Sequence, residues 1–344
     1  MDISNKLLSF RYKESFIFNR IKYKKLGLKN KIISTDSHES CPICDGREVD
    51  LIAEVDRVGF RCDTVICKKC FFIFNNTYIS DPEGFYTDVW GSERWGDPEE
   101  SFNKRTDSNS YSWKRMAFLA NSLGERFKKL NTVLEVGCGD GCNLYPYHLQ
   151  GKSTVGCDFN EDFLKPGRSK GLHLVCGDID SIEKDKVFDL VLLIHSFEHV
   201  IEMDKTIQSV ARHVAEDGLV FVEVPGVLGW NRVSNDVMQS MGLISTNNFL
   251  GYLQFQHNYH FDLDHLKVVW ERNGFELVQG DEWVRAVFKK REKSLSGFGK
   301  GVDLESFRKD TQYYLSMVEK DFLSIKFIFC RFCRFLFKQW CVNS

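Results

Sequence analysis

The stretch Thr132-Val-Leu-Glu-Val-Gly-Cys-Gly-Asp-Gly141 limits what this chain can fold into more than any other. An apolar, β-branched run suits a strand covered on both faces. The alternating glycines that follow suit a turn whose backbone comes close to a ligand and offers it amide donors. Further strands are predicted at Ser153 to Asp158, His173 to Cys176, Phe188 to Ile194, Gly218 to Val224, Phe275 to Gln279 and Glu282 to Phe288. Helical stretches separate most of them, so a doubly wound, Rossmann-like α/β fold is expected, with its ligand at the carboxyl ends of the strands. With 344 residues, 43% of them hydrophobic, the chain has material for one large core and a small module.

Acidic residues fall where such a fold would use them. Asp158 closes the second strand in Val155-Gly-Cys-Asp-Phe-Asn160, where a carboxylate can accept from ribose hydroxyls. Asp178 follows the third strand in Cys176-Gly-Asp-Ile179 and can accept from an adenine amine, with Phe159 and Ile179 flanking the ring. Gly137, Cys138, Gly139 and Gly141 supply the turn, and Glu135 sits at its mouth. A dinucleotide fingerprint needs G-x-G-x-x-G, whereas these glycines alternate as G-x-G-x-G, which disfavours a dehydrogenase.

On these motifs the chain resembles the class I S-adenosylmethionine-dependent methyltransferases over roughly Leu130 to Phe288. The resemblance assigns Glu135 through Gly141 to their first motif, Asp158 to the ribose and Asp178 to the adenine. Phe188-Asp-Leu-Val-Leu-Leu-Ile-His195 corresponds to their fourth strand, and Ala215 to Pro225 to the segment through their fifth. It implies a seven-stranded sheet, S-adenosylmethionine as cofactor, and Glu135 suited to a cationic sulfonium ligand.

Cys41-Pro-Ile-Cys44 and Cys67-Lys-Lys-Cys70 are two C-x-x-C knuckles. Two such turns complete a tetrahedral four-thiolate site suited to structural Zn(II), with Cys62 as an alternative ligand. A zinc module ahead of this fold, followed by Ser196-Phe-Glu-His-Val200 and Gln256-His-Asn-Tyr-His-Phe261, resembles bacterial methyltransferases of sugars and surface polysaccharides. That resemblance implies a sugar-containing small molecule or lipid-linked glycan as acceptor. The sugar C-methyltransferases among them carry Glu-His where this chain has Gln256-His257, so oxygen, nitrogen and carbon acceptors all stay open.

Methyl transfer to a hydroxyl needs an aligned acceptor and gains from a base. His257 is the preferred base, with His195, Glu198 and His199 as further catalytic candidates at the end of the fourth strand; His195 also borders the cofactor. Tyr252, Tyr259 and His260 are candidate sugar contacts.

The organisation expected is a basic helix and linker over 1–38, a zinc module over 39–80, a bridging loop over 81–111, the catalytic domain over 112–290 and a helical tail over 291–344. The tail reads either as an interfacial helix on an anionic membrane or as a packed terminal helix, since charges interrupt its apolar run. No early apolar run ends in a small-residue cleavage site, which suggests the cytoplasm, at most the inner face of a membrane. Lys and Arg number 46 against 48 Asp and Glu, so no chain-wide positive field favours nucleic acid. An RNA-directed methyltransferase and a non-catalytic scaffold are the competing readings.

Overall fold

The computed structural model describes residues 33–56, 60–89, 97–227 and 252–291. The basic helix expected over most of 1–38 and almost all of the C-terminal tail lie outside the described residues. Residues 35–37 were expected in a linker but form strand β1 (Thr35–Ser37). It is followed by β2 (Val49–Val55), β3 (Arg61–Cys67), β4 (Ile73–Asn75) and β5 (Thr77–Ile79), with β1 pairing antiparallel to β5. Between the cysteine knuckles β2 and β3 pair antiparallel.

The segment 81–111 is not the plain loop its composition suggests. It holds a helical turn at Pro82–Gly84, a π-helical turn at Phe85–Val89 and helix α1 (Pro98–Thr106). Asp97 caps α1 by accepting from the Glu100 amide at 2.8 Å, and proline takes the first helical position. Capping chemistry and Phe102, 1% exposed, outweigh a polar composition that hides the helical period.

Helices α2 (Tyr111–Leu123) and α3 (Glu125–Lys128) lead into β6 (Thr132–Val136), and α4 (Tyr145–Leu149) follows the glycine turn. Next come β7 (Ser153–Asp158), α5 (Glu161–Ser169), β8 (His173–Cys176) and β9 (Phe188–Ile194). Helix α6 (Met203–His213) leads into β10 (Val214–Glu223); β11 (Tyr259–His260), α7 (Leu263–Arg272), β12 (Phe275–Gly280) and β13 (Arg285–Lys290) complete the described chain. The seven-stranded sheet runs β12-β13-β10-β9-β6-β7-β8. Strands β6 to β10 are parallel, while β13 runs antiparallel to both neighbours.

Strand alternation sorts the core onto the two faces of this sheet. Leu190, Leu192, Leu219 and Phe221 pack with α2 and α4 on one face. Val191, Leu193, Val220 and Val222 pack with α6 and α7 on the other, in a cluster that also takes in Cys41, Cys44, Cys67, Cys70 and Phe72. The cysteine module is therefore not a separate bead. Its sheet, β11-β4-β3-β2, borrows β11 from the segment after β10.

Candidate active site

The carboxyl ends of β6, β7 and β9 open on a cleft of about 880 Å³. Gly137 and Gly139 take φ of +73° and +53°, the left-handed region that suits glycine. A Cβ on Gly137 would meet Ser196 Cβ at 2.6 Å, whereas one on Gly139 would meet nothing within 4 Å. Gly137 lets the turn after β6 approach the turn after β9, and Gly139 leaves bare backbone facing the cleft.

Asp158 Oδ2 accepts from the Gly139 amide at 2.8 Å and Oδ1 from the Asn160 amide at 3.1 Å. Burial pushes its carboxyl up, and those amides oppose the rise. Phe159, Asp178 and Ile179 line the same end of the cleft. Asn160 closes this half from outside: its Oδ1 caps α5, and its Nδ2 donates to the Tyr86 carbonyl at 3.0 Å.

Glu135 is a correction. It is 0% exposed and is absent from the cleft wall, with Oε1 accepting from Asn143 Nδ2 at 2.7 Å. Burial pushes its carboxyl up to about 8 against the pull of Asn143 and Arg115. Alternation along β6 turns its side chain into the protein, so Glu135 braces Asn143, which does line the cleft.

His195 follows β9 with φ +52° and faces the cleft. Its Nε2 lies 3.3 Å from Glu223 Oε1, and its Nδ1 lies 3.7 Å from Glu198 Oε1. Burial works against its charge, but the carboxylates of Glu198 and Glu223 outweigh burial and raise its pKa to about 9. Glu223 also accepts from Arg115 Nε at 2.9 Å and Nη2 at 2.6 Å. His195 and Arg115 overcome its desolvation and hold its pKa at about 2. Arg115 and Glu223 had no signal beyond their positions on a helix and at a strand end.

The other half of the cleft is assembled from distant parts of the chain. Glu198 and His199 occupy a 3₁₀ turn (Phe197–His199), and His257 arrives from the segment before β11. One donor atom from each of Glu198, His199 and His257 lies within 4.8 Å of the others. The structure thus brings together all four candidates His195, Glu198, His199 and His257. Tyr86, which sequence reasoning missed, lies 2.9 Å from His199 Nδ1 through its hydroxyl. Tyr252, Tyr259 and His260 are corrections: each is 1% exposed and lies outside the cleft wall. Tyr252 donates to the Pro225 carbonyl and Tyr259 to that of Ile201, so both act as braces.

The module reaches this second half through Asn75. Its Nδ2 donates to the carbonyls of Gln254 at 3.0 Å and His257 at 2.9 Å, and its Oδ1 accepts from Thr64 Oγ1 at 2.7 Å. Cys41, Cys44, Cys67 and Cys70 are all buried, with Sγ separations of 3.5 Å for Cys41–Cys70 and for Cys44–Cys67. Zinc–sulfur bonds of about 2.3 Å in a tetrahedron require sulfurs about 3.8 Å apart, so the donor set fits Zn(II). Cys62 is not among them: it faces Thr64 Oγ1 at 3.6 Å and packs with Ile79, Phe85 and Phe255.

A parallel sheet with one reversed strand near its edge, a glycine turn after its first strand and acids ending the next two define the class: a class I, S-adenosylmethionine-dependent methyltransferase domain. Residues 110–280 match the profile of the family described as a methyltransferase domain. Among curated relatives, a ubiquinone biosynthesis O-methyltransferase of Nitrosomonas europaea is 28% identical over 141 residues, covering 38% of this chain and 57% of the relative. The corresponding protein of Rickettsia prowazekii is 25% identical over 147 residues, covering 40% and 56%. The chain thus spans about half the length of the curated relatives it matches. A solved S-adenosylmethionine-dependent methyltransferase from Clostridium acetobutylicum superposes with a TM-score of 0.41 at 14% identity, covering 56% of this chain and 97% of that one.

Proposed function

We propose that the chain transfers a methyl group from S-adenosylmethionine to a hydroxyl of a sugar-containing small molecule or glycan held in the second half of the cleft. The observation carrying this reading is one continuous cleft with a glycine and aspartate cradle at one end and buried Glu198 and His257 with half-buried His199 at the other. Bare backbone at Gly139 and the Asp158 carboxylate suit the cofactor, which supplies the activated methyl group when bound. The cluster of Glu198, His199 and His257 orients the acceptor and takes up the charge its hydroxyl develops, with His257 as base. Arg115 and Glu223 hold His195 at the junction of the two halves. A structural zinc on Cys41, Cys44, Cys67 and Cys70 would fix the sheet that carries Asn75 and, through it, the main chain at His257.

The relatives' names support oxygen as the acceptor atom and favour a second reading, a hydroxylated precursor in ubiquinone biosynthesis. An RNA acceptor gains no support from the module: Lys68 pairs with Asp50 at 3.2 Å, and Lys69 donates to the Cys44 carbonyl. Among the described residues no helix is long and apolar enough to cross a membrane. Methyl-labelled cofactor offered with panels of sugar nucleotides and polyhydroxylated aromatics tests the reading. Label on a sugar hydroxyl supports the first acceptor class and label on an aromatic hydroxyl the second. No transfer to any acceptor by cofactor-bound protein refutes the hydroxyl assignment.

A further inference from the structure

Glu198 is 1% exposed, and neither carboxylate oxygen has a hydrogen-bond partner. Burying a carboxylate this way is costly unless something cationic meets it, and His195, at 3.7 Å from Oε1, stands beyond hydrogen-bond reach and is shared with Glu223. The neighbouring imidazole sharpens the requirement. His199 Nδ1 lies 2.8 Å from the Gln256 carbonyl, which only accepts, and 2.9 Å from the Tyr86 hydroxyl, which can also accept, so a proton on Nδ1 suits both contacts. In the neutral ring Nε2 then turns its lone pair toward Glu198 Oε1, 3.6 Å away. A cation between that lone pair and the carboxylate, a metal ion or a shared proton, satisfies both groups.

We propose that Glu198, His199 and His257 bind a divalent transition-metal ion on the acceptor side of the cleft, separate from the four-thiolate site. Zinc bound at about 2.0–2.1 Å by nitrogen and oxygen in a tetrahedron holds its donors roughly 3.4 Å apart, close to the 3.6 Å between Glu198 and His199. His257 closes a third side within 4.8 Å. Anchoring of the far nitrogen of a ligating histidine by a carbonyl is the usual outer-shell arrangement, which Gln256 supplies here. Two imidazoles and one carboxylate select a zinc-like ion over magnesium or calcium. All three residues line the cleft, leaving the remaining coordination positions open to an acceptor oxygen. With the ion bound, His257 acts as a ligand rather than as the base, and the ion takes over the charge-stabilising part by acidifying the acceptor hydroxyl; its binding does not require the proposed function.

Cobalt(II) titration of the full-length protein tests the site, because thiolate-bound cobalt shows intense charge-transfer bands that a nitrogen and oxygen site lacks. The expected result is two equivalents per chain, one with and one without thiolate bands. Glu198→Gln and His199→Ala should each lose only the second equivalent, the retained thiolate bands reporting an intact fold. Binding of one equivalent alone, or a second equivalent unchanged in both variants, would overturn the proposal and leave a proton as the bridging charge. S-adenosylmethionine titrated into the same samples separates the two ideas. Cobalt at the second site without cofactor binding sinks the proposed function and spares the metal site, and the converse spares only the function.

Discussion

The two halves of the cleft are built differently. The half proposed for the cofactor comes from consecutive strand ends, with Gly137, Gly139, Asp158 and Asp178 within about forty residues, held by short backbone contacts such as Gly139 to Asp158. The half proposed for the acceptor joins Tyr86, Glu198 and His257 and depends on Asn75, which lies 182 residues from His257. Local backbone geometry therefore fixes the first half, while tertiary pairing between a cysteine module and a distant strand fixes the second. Damage to the module should disable the acceptor half and leave the glycine turn standing.

Cys67→Ser breaks that comparison hardest. Structural zinc contributes on the order of 10 kcal/mol to small metal-dependent folds, so losing one thiolate should unfold the module and release β11 with it. Metal content and limited proteolysis are expected to report an unfolded module, with methyl transfer abolished. Full transfer by a protein stripped of metal would show the two halves to be independent.

Asn75→Ala asks the same question with the metal retained. The buried His257 carbonyl and the part-buried Gln254 carbonyl lose their donor, a penalty of about 1–3 kcal/mol for the buried one before relaxation. A misplaced catalytic segment costs about 100-fold in kcat, while cofactor affinity should stay within about twofold. Equal losses in kcat and cofactor affinity would contradict the division of the cleft.

His195 sits between the halves, and its effect should be the smallest. Its folded pKa near 9 exceeds the ordinary 6.5, so its stabilising charge is fully present below about pH 6.5 and is lost as pH rises toward 9. Solvent screening of a side chain 45% exposed reduces the contribution to about 1 kcal/mol. Thermal unfolding of the wild type should weaken across that window, and His195→Asn should remove this slope. A slope unchanged in the variant would move the titration to another group.

The same contrast explains what could be read from the sequence. Strands β6 to β9 match their expected bounds because they are apolar runs ended by a glycine, an acid or, after β9, His195. The clustering of Cys41, Cys44, Cys67 and Cys70 followed from knuckle spacing, and the structure separates Cys62 from them by turning it toward Thr64. Glu135 was misread because a motif does not say which face of a strand a side chain takes. Tyr86, Arg115, Glu223 and Asn75 left no local pattern, since each acquires its partner only when segments far apart in sequence meet. Helix α1 was hidden by its polar composition, with its caps as the missed signal.

Calorimetric titration with S-adenosylmethionine, for the wild type and for Asp158→Ala, tests the central claim most directly. The account predicts micromolar binding weakened about 10- to 100-fold in the variant, as expected for losing hydrogen bonds to a charged group. Folded, metal-loaded protein that binds no S-adenosylmethionine, or binds it equally well without Asp158, would contradict the account.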